Sequence, residues 1–366
     1  MRISLENAQE LLRESINPLP HEQLALHEAL GCIMAERVVS QIDQPPFPRS
    51  PYDGYALRAF DSVCATHLLP VELKIIGHSF AGKPAEVTVG VGEAVRIMTG
   101  GVIPLGADCV IAQEQTDGGE VRVKIYKDLK PFENYCQIGE DFFSGTEIVP
   151  KGIPVTAAVL GVAASAGCTE LSVFPKPRVS VLSTGDELQS PGQALGNGQI
   201  YSSNSVLLSA RLQELGVPVT ENTCLRDDLT ELMCAFEKAN KSSDLIISTG
   251  GVSVGLYDLV PEALERLGAK IIFKGVDIKP GMPAIFALLN GKPILALSGN
   301  PFACAVTFEL LARPAIAVLS SDNRIELCRK KAVLTKDCVK KRPVRRFQRG
   351  ILNCGAVTIP GEQGNG

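Results

Sequence analysis

The chain has 366 residues, 45% of them hydrophobic, which is long for one domain and enough for several ordinary cores. Its 36 Lys and Arg against 40 Asp and Glu give a net charge of -4 and exclude the basic footprint of a nucleic-acid-binding chain. No charge-free apolar stretch reaches about 18 residues, so no membrane span is expected, and the first residues, MRISLENAQELLRES, lack a signal-peptide core.

In chain order, Ser4 is placed to cap a helix that carries Leu5, Ala8, Leu11 and Leu12 on one face. Residues 24–39 read as a second helix, weakened by Gly31. Residues 41–57, QIDQPPFPRSPYDGYAL, carry Pro45, Pro46, Pro48 and Pro51 and fit neither helix interior nor central strand. This stiff segment delivers Tyr52, Asp53, Gly54 and Tyr55 to one place. Residues 71–149 hold short alternating runs (VELKIIG, AVRIM, VRVKIY) separated by Gly and Pro, the pattern of an antiparallel β domain. Residues 155–166 form a small apolar connecting helix.

From Arg178 the period changes, and buried-strand runs alternate with helical patterns. Two runs match: residues 179–188 read VSVLSTGDEL and residues 245–258 read LIISTGGVSVGLYD. Each is a β-branched, aliphatic strand that stops at Ser-Thr-Gly. A third, residues 293–301 (PILALSGNP), ends alike. Helices are expected at residues 206–215, after the cap Asp228, at 259–267 and at 302–319 behind Pro301. This is a doubly wound α/β domain, and such sheets bind ligands at the carboxyl ends of their strands. Residues 322–366, with Lys340, Lys341, Arg342, Arg345 and Arg346, read as the start of a further β domain with few apolar positions.

The 11 cysteines contain no CxxC and read as reduced thiols of a cytoplasmic protein. All 4 histidines precede the Ser-Thr-Gly region, so a His-based mechanism there requires a residue from elsewhere. Asp186 and Glu187 follow Thr184-Gly185. Adjacent carboxylates at a strand end hold a divalent cation against a phosphate, or simply cap a turn and face water. Asp227 and Asp258 fall at comparable positions, and in this fold all four acids gather at one crevice. The glycines after Thr249 allow consecutive amides to cradle an anion. Lys279-Pro280-Gly281 presents a lysine at a turn, while Arg96-Ile97-Met98-Thr99-Gly100-Gly101 and Gly139-Glu140-Asp141 are further polar turns.

Taken in order, PFPRSPYDGYALR, RIMTGGVIPLGAD, GEDF, VLSTGDEL, STGGVSVGLYD and IKPG resemble the molybdopterin molybdenumtransferase (MoeA) family, which is similar to the gephyrin E domain. The resemblance covers about residues 3–350. It implies an α/β multidomain fold. Residues 1–45 and 145–177 form an elongated part, 46–144 an inserted β domain, 178–320 an α/β domain like molybdopterin adenylyltransferase, and 321–366 an incomplete C-terminal β domain. It implies insertion of molybdate into adenylylated molybdopterin with release of AMP and assistance from Mg2+. It implies a homodimer that transiently meets the adenylyltransferase and cofactor-accepting enzymes, with no nucleic acid or membrane involved.

By motif, Asp186, Glu187, Asp227 and Asp258 surround the metal. Ser183, Thr184, Gly185, Thr249, Gly250, Gly251, Ser253, Gly255, Ser298, Gly299, Asn300 and Pro301 bind the substrate. Asp53, Thr99 and Asp141 complete the site from a partner subunit, and Lys279 meets phosphate or molybdate. The family often writes KPGKP and GNPVS, where this chain has Met282, Phe302 and Ala303. Lys274 is the counterpart of a further family lysine, and Arg345, Arg346 and Arg349 are basic donors in the tail. Alternatives from the same fold are an adenylyltransferase-type activity, a gephyrin-like scaffold, and a binding protein that has lost its metal pocket.

Overall fold

A computed structural model describes residues 2–252, 259–337 and 344–360. The backbone groups into two compact units. One comprises Met1–Ala35, Gly152–Thr156 and Glu170–Gly366, the other Glu36–Lys151 and Ala157–Thr169.

The first unit is built on a six-stranded sheet. Its strands are β1 (Val179–Thr184), β2 (Val219–Leu225), β3 (Leu245–Thr249), β4 (Lys270–Lys274), β5 (Ile285–Leu289) and β6 (Lys292–Leu297). They lie in the order β2-β1-β3-β6-β5-β4. β2, β1, β3 and β6 are parallel, and β5 pairs antiparallel with both β6 and β4. The side chains alternate as the pleat requires. Val179, Val181, Leu245, Ile247, Leu295 and Leu297 enter one core, and Leu182, Ile246, Ile294 and Ala296 enter the other. Both faces are therefore buried, which is why the runs lack polar alternation.

The helices are α1 (Leu5–Ser15), α2 (Ser203–Glu214), α3 (Leu229–Ser242), α4 (Leu259–Arg266) and α5, which runs through Pro301–Ser320 with a π-helical turn at Phe308–Ala312. Leu5, Ala8, Leu12, Leu208, Leu212, Cys304 and Phe308 put α1, α2 and α5 on the first face. Leu232, Phe236, Val260 and Leu264 put α3 and α4 on the second. Burying each such Leu, Ile or Phe contributes about 1.5–3 kcal/mol. Among the described residues α5, at 20 residues, is long and apolar enough to cross a membrane, yet it packs largely inside this core. The caps at Ser4 and Asp228 are made as the sequence predicts, and Asn300 supplies a third that it did not name. Asn7 N donates to Ser4 Oγ (3.1 Å), Glu231 N to Asp228 Oδ1 (2.8 Å) and Ala303 N to Asn300 Oδ1 (2.9 Å).

Residues 24–39 are not a helix. Glu22–Ala25 and Ile33–Met34 are strands on either side of Glu170–Phe174. Gly31 sits at φ +80°, and Lys176 Nζ lies 2.9 Å from where its Cβ would be, which stops a helix there. The apolar spacing fits strand and helix equally, and pairing with a segment far along the chain decides between them. Toward the C-terminus, Arg345–Arg346 pairs in parallel with Ile278–Lys279, and Val333–Leu334, Ala356–Thr358 and Ile351–Asn353 form a small sheet.

The second unit holds a five-stranded sheet in the order Cys109–Ala112, Gly54–Leu57, Glu93–Ile97, Val71–Ser79, Arg122–Ile125. All its pairings are antiparallel except Val71–Ser79 with Glu93–Ile97, which is parallel. The loop of residues 80–92 provides the crossover that a parallel pair needs. Tyr55, Leu57, Leu73, Ile111 and Ile125 fill its core. The apolar helix Ala157–Ser165 buries only Ala163.

Candidate active site

Register brings three strand ends level. Ser183 on β1 stands opposite Thr249 on β3, and Thr249 stands opposite Leu297 on β6. β2 lies on one side of β1 and β3 on the other, so the loops after β1 and β3 flank a topological switch point. There a pocket of about 320 Å³ opens. Of the sequence-predicted residues, Ser183, Thr184, Gly185, Glu187, Asp227, Thr249, Gly250, Gly251, Ser298, Gly299 and Pro301 line it.

The pocket is held together by short polar links. Thr184 Oγ1 donates to Asp227 Oδ1 at 2.7 Å, tying the end of β1 to the loop after β2. Asp227 N donates to Asp186 Oδ1 at 3.2 Å. Both Asp186 and Glu187 are exposed, and of the two only Glu187 borders the pocket. Gly250 N donates to Leu297 O (3.2 Å), joining the β3 loop to β6. At φ +95°, a Cβ on Gly250 would lie 2.2 Å from Thr184 O, so this close approach of β1 and β3 requires glycine. Thr249 Oγ1 donates to Ser298 O at 3.0 Å. Beneath the pocket, burial pushes the Cys304 thiol up to about 11, opposed by a hydrogen bond with Thr249, so it stays protonated and is no nucleophile at neutral pH.

The remaining predicted residues stand apart from this lining. Asn300 caps α5 through its side-chain oxygen. Lys279 is exposed in the strand beside Arg345–Arg346, paired with Arg346. Lys274 forms an ion pair with Glu265 at 2.7 Å. Ser253, Gly255 and Asp258 lie outside the described residues. In the second unit, Thr99 N and Oγ1 both donate to Asp53 Oδ1 at 2.8 Å. The Thr99 backbone bond, then its hydroxyl, hold the Asp53 carboxyl below the usual carboxylate range, so it is ionised at neutral pH. Asp141 faces Arg49 at 3.8 Å.

The departures from the motif also have structural accounts. Met282 serves its turn through its backbone, its carbonyl accepting from Val276 N and Ala284 N. Ala303 is buried in the first turn of α5. The Phe302 ring carries the Arg349 guanidinium, whose carbon lies 4.6 Å from the ring centroid. Sequence reading missed Tyr201, Ser202 and Asn204, which also line the pocket. The polar run Ser202-Ser203-Asn204-Ser205 at the start of α2 was the available signal, and it reads equally well as a helix cap.

Two family models match the chain: the MoeA N-terminal region (domains I and II) over residues 3–167, and a probable molybdopterin binding domain over residues 180–318. A molybdopterin molybdenumtransferase of Staphylococcus epidermidis is 36% identical over 361 residues, 98% of this chain and 86% of that protein. One of Staphylococcus aureus is 36% identical over 345 residues, 93% of this chain and 82% of that protein. Two crystal structures of a molybdopterin biosynthesis MoeA protein from Pyrococcus horikoshii superpose on the fold. One has a TM-score of 0.79 at 33% identity, covering 99% of this chain and 90% of its own. The other has a TM-score of 0.74 at 28% identity, covering 100% and 91%. With both halves matched and relatives this similar along nearly its whole length, the chain belongs to the molybdopterin molybdenumtransferase family, MoeA.

Proposed function

We propose that this protein inserts molybdate into adenylylated molybdopterin and releases AMP, with Mg2+ assisting, in the biosynthesis of the molybdenum cofactor. Beyond family membership, one observation carries the reading. The hydroxyl- and glycine-bearing ends of β1, β3 and β6 stand level around a pocket rimmed by Glu187 and Asp227. A phosphoanhydride needs donors in fixed places and a cation to offset its charge; the strand ends supply the donors, and the acidic rim suits a cation.

The donor set suits magnesium. That ion takes hard oxygens, commonly one or two carboxylates beside waters and substrate phosphates, not a full protein cage. Among the described residues no three Asp, Glu, His or Cys side chains close on one point, while Glu187 and Asp227 border one pocket and Asp186 hydrogen-bonds to Asp227. Of the acids Asp186, Glu187, Asp227 and Asp258, one or two would hold the ion directly and the others through its waters, and the bound ion would offset the charge of the phosphoanhydride.

The chain's own residues bind and orient. Backbone amides of the loop after β3 cradle the pterin phosphate. Thr184, turned by Asp227, fixes one wall. Lys279, with Arg346 beside it, meets phosphate or molybdate. Cleavage rests on positioning and charge rather than on a side-chain nucleophile. The active form is a homodimer in which Asp53, Thr99 and Asp141 of the second copy complete the site. It works in the cytoplasm, between a molybdopterin adenylyltransferase and cofactor-accepting enzymes. The apolar helix Ala157–Ser165, mostly exposed, supports the dimer. Val162→Glu on that helix is expected to turn a dimer into a monomer in sedimentation velocity. A wild-type protein that sediments as a monomer would refute this part.

The decisive assay supplies two substrate sets. Adenylylated molybdopterin plus molybdate should yield AMP, with the yield abolished by excess chelator and restored by Mg2+. ATP plus molybdopterin should yield nothing. The reverse pattern would establish an adenylyltransferase, and inertness toward both sets would leave a scaffold.

A further inference from the structure

The pocket contains a hydrogen-bonded clip whose direction is fixed by chemistry. Asn204, the second residue of α2, is 8% exposed. Its Nδ2 lies 2.8 Å from Gly299 O and 3.0 Å from Thr249 Oγ1. A carbonyl can only accept, so the amide nitrogen, and not Oδ1, must face Gly299. An amide nitrogen has no lone pair to accept with, so Thr249 accepts from Asn204. A single side chain at the start of α2 therefore ties the end of β3 to the loop after β6, and both its amide hydrogens are consumed.

Two further facts separate this clip from ordinary packing. The residues it holds, Thr249, Ser298 and Gly299, are themselves pocket walls. Asn204 Oδ1 and Ser183 Oγ, both from pocket-lining residues, are buried without a hydrogen-bond partner. Unsatisfied groups of this kind are costly and rare in a core, and call for an explanation such as a functional role. The β3 and β6 loops are also direct neighbours, since a Cβ on Gly299 would sit in van der Waals contact with Gly250 Cα at 3.5 Å.

We infer that Asn204 is a positioning residue for the reaction proposed above, on which this inference rests: by clipping Thr249 to Gly299 it holds the two glycine loops at the separation that binds the substrate.

Asn204→Asp in the full-length protein tests this. The shape is kept, but an oxygen now faces the Gly299 carbonyl, so that bond is lost, and Thr249 can keep its contact only by turning its hydroxyl away from Ser298 O. KM for adenylylated molybdopterin is expected to rise by about ten-fold or more while kcat moves by less than about three-fold. Amide hydrogen exchange in residues 246–252 and 297–303 should quicken by about ten-fold, with β4 and β5 unchanged. Asn204→Ser, neutral and smaller, should give the same pattern if the aspartate variant fails to fold. An unaltered KM, or unaltered exchange at both loops, would overturn the inference. The exchange readout needs no turnover. Faster exchange in a protein whose wild type releases no AMP would uphold the clip and reject the proposed reaction. An active wild type whose variant keeps its KM would do the opposite.

Discussion

Gly250→Ala is expected to abolish AMP release and to lower the stability of the first unit by roughly 2–4 kcal/mol, as an unfavourable backbone conformation and an overpacking clash add. At φ +95° a non-glycine residue is strained, and the new methyl would lie 2.2 Å from Thr184 O, a backbone atom of β1. That atom cannot swing aside as a side chain would. Relief requires β1 and β3 to part, and Ser183, Thr184 and Thr249 then lose their common level. Gly250 N also bonds Leu297 O at 3.2 Å, so the shift carries into β6. Chemical denaturation measures the first effect and the AMP assay the second. A Gly250→Ala protein with wild-type turnover would mean that the strand ends need not stand level.

Much of this arrangement was legible in the sequence, and the reason is burial. VSVLST and LIIST are strands covered on both faces, so their composition alone marks them, and the Ser-Thr-Gly stops mark which ends carry polar groups. The caps at Ser4 and Asp228 were equally readable, because a cap is a local rule, whereas Asn300, read as a substrate-binding residue, turns out to cap α5. Residues 24–39 were misread for the converse reason. Leu24, Ile33 and Met34 satisfy either period, and only pairing with Leu171, Val173 and Phe174 selects the strand. Asn204 escaped because its importance lies in joining two strand ends that are distant in sequence, and no spacing rule records such a junction. Asp258, named by motif, lies outside the described residues.

Asp227 allows charge and hydrogen bonding to be separated. Its carboxylate accepts the Thr184 hydroxyl at 2.7 Å and borders the pocket, and its backbone N–H bonds Asp186. Asp227→Asn keeps an acceptor for Thr184 and nearly the same volume but removes the negative charge. Asp227→Ala removes both, leaving Thr184 only the 3.4 Å contact with Arg226 O. If Asp227 acts through charge, both variants should lose about 10²–10³ in kcat for AMP release, the size of a lost electrostatic stabiliser. Only the alanine variant should then lose stability, by about 1 kcal/mol for one hydrogen bond. If Asp227 only orients Thr184, the asparagine variant should retain most activity. Nearly wild-type turnover in Asp227→Asn would therefore remove Asp227 from the metal-binding set while keeping it as a brace for β1, and would leave Asp186, Glu187 and Asp258 as the proposed metal ligands.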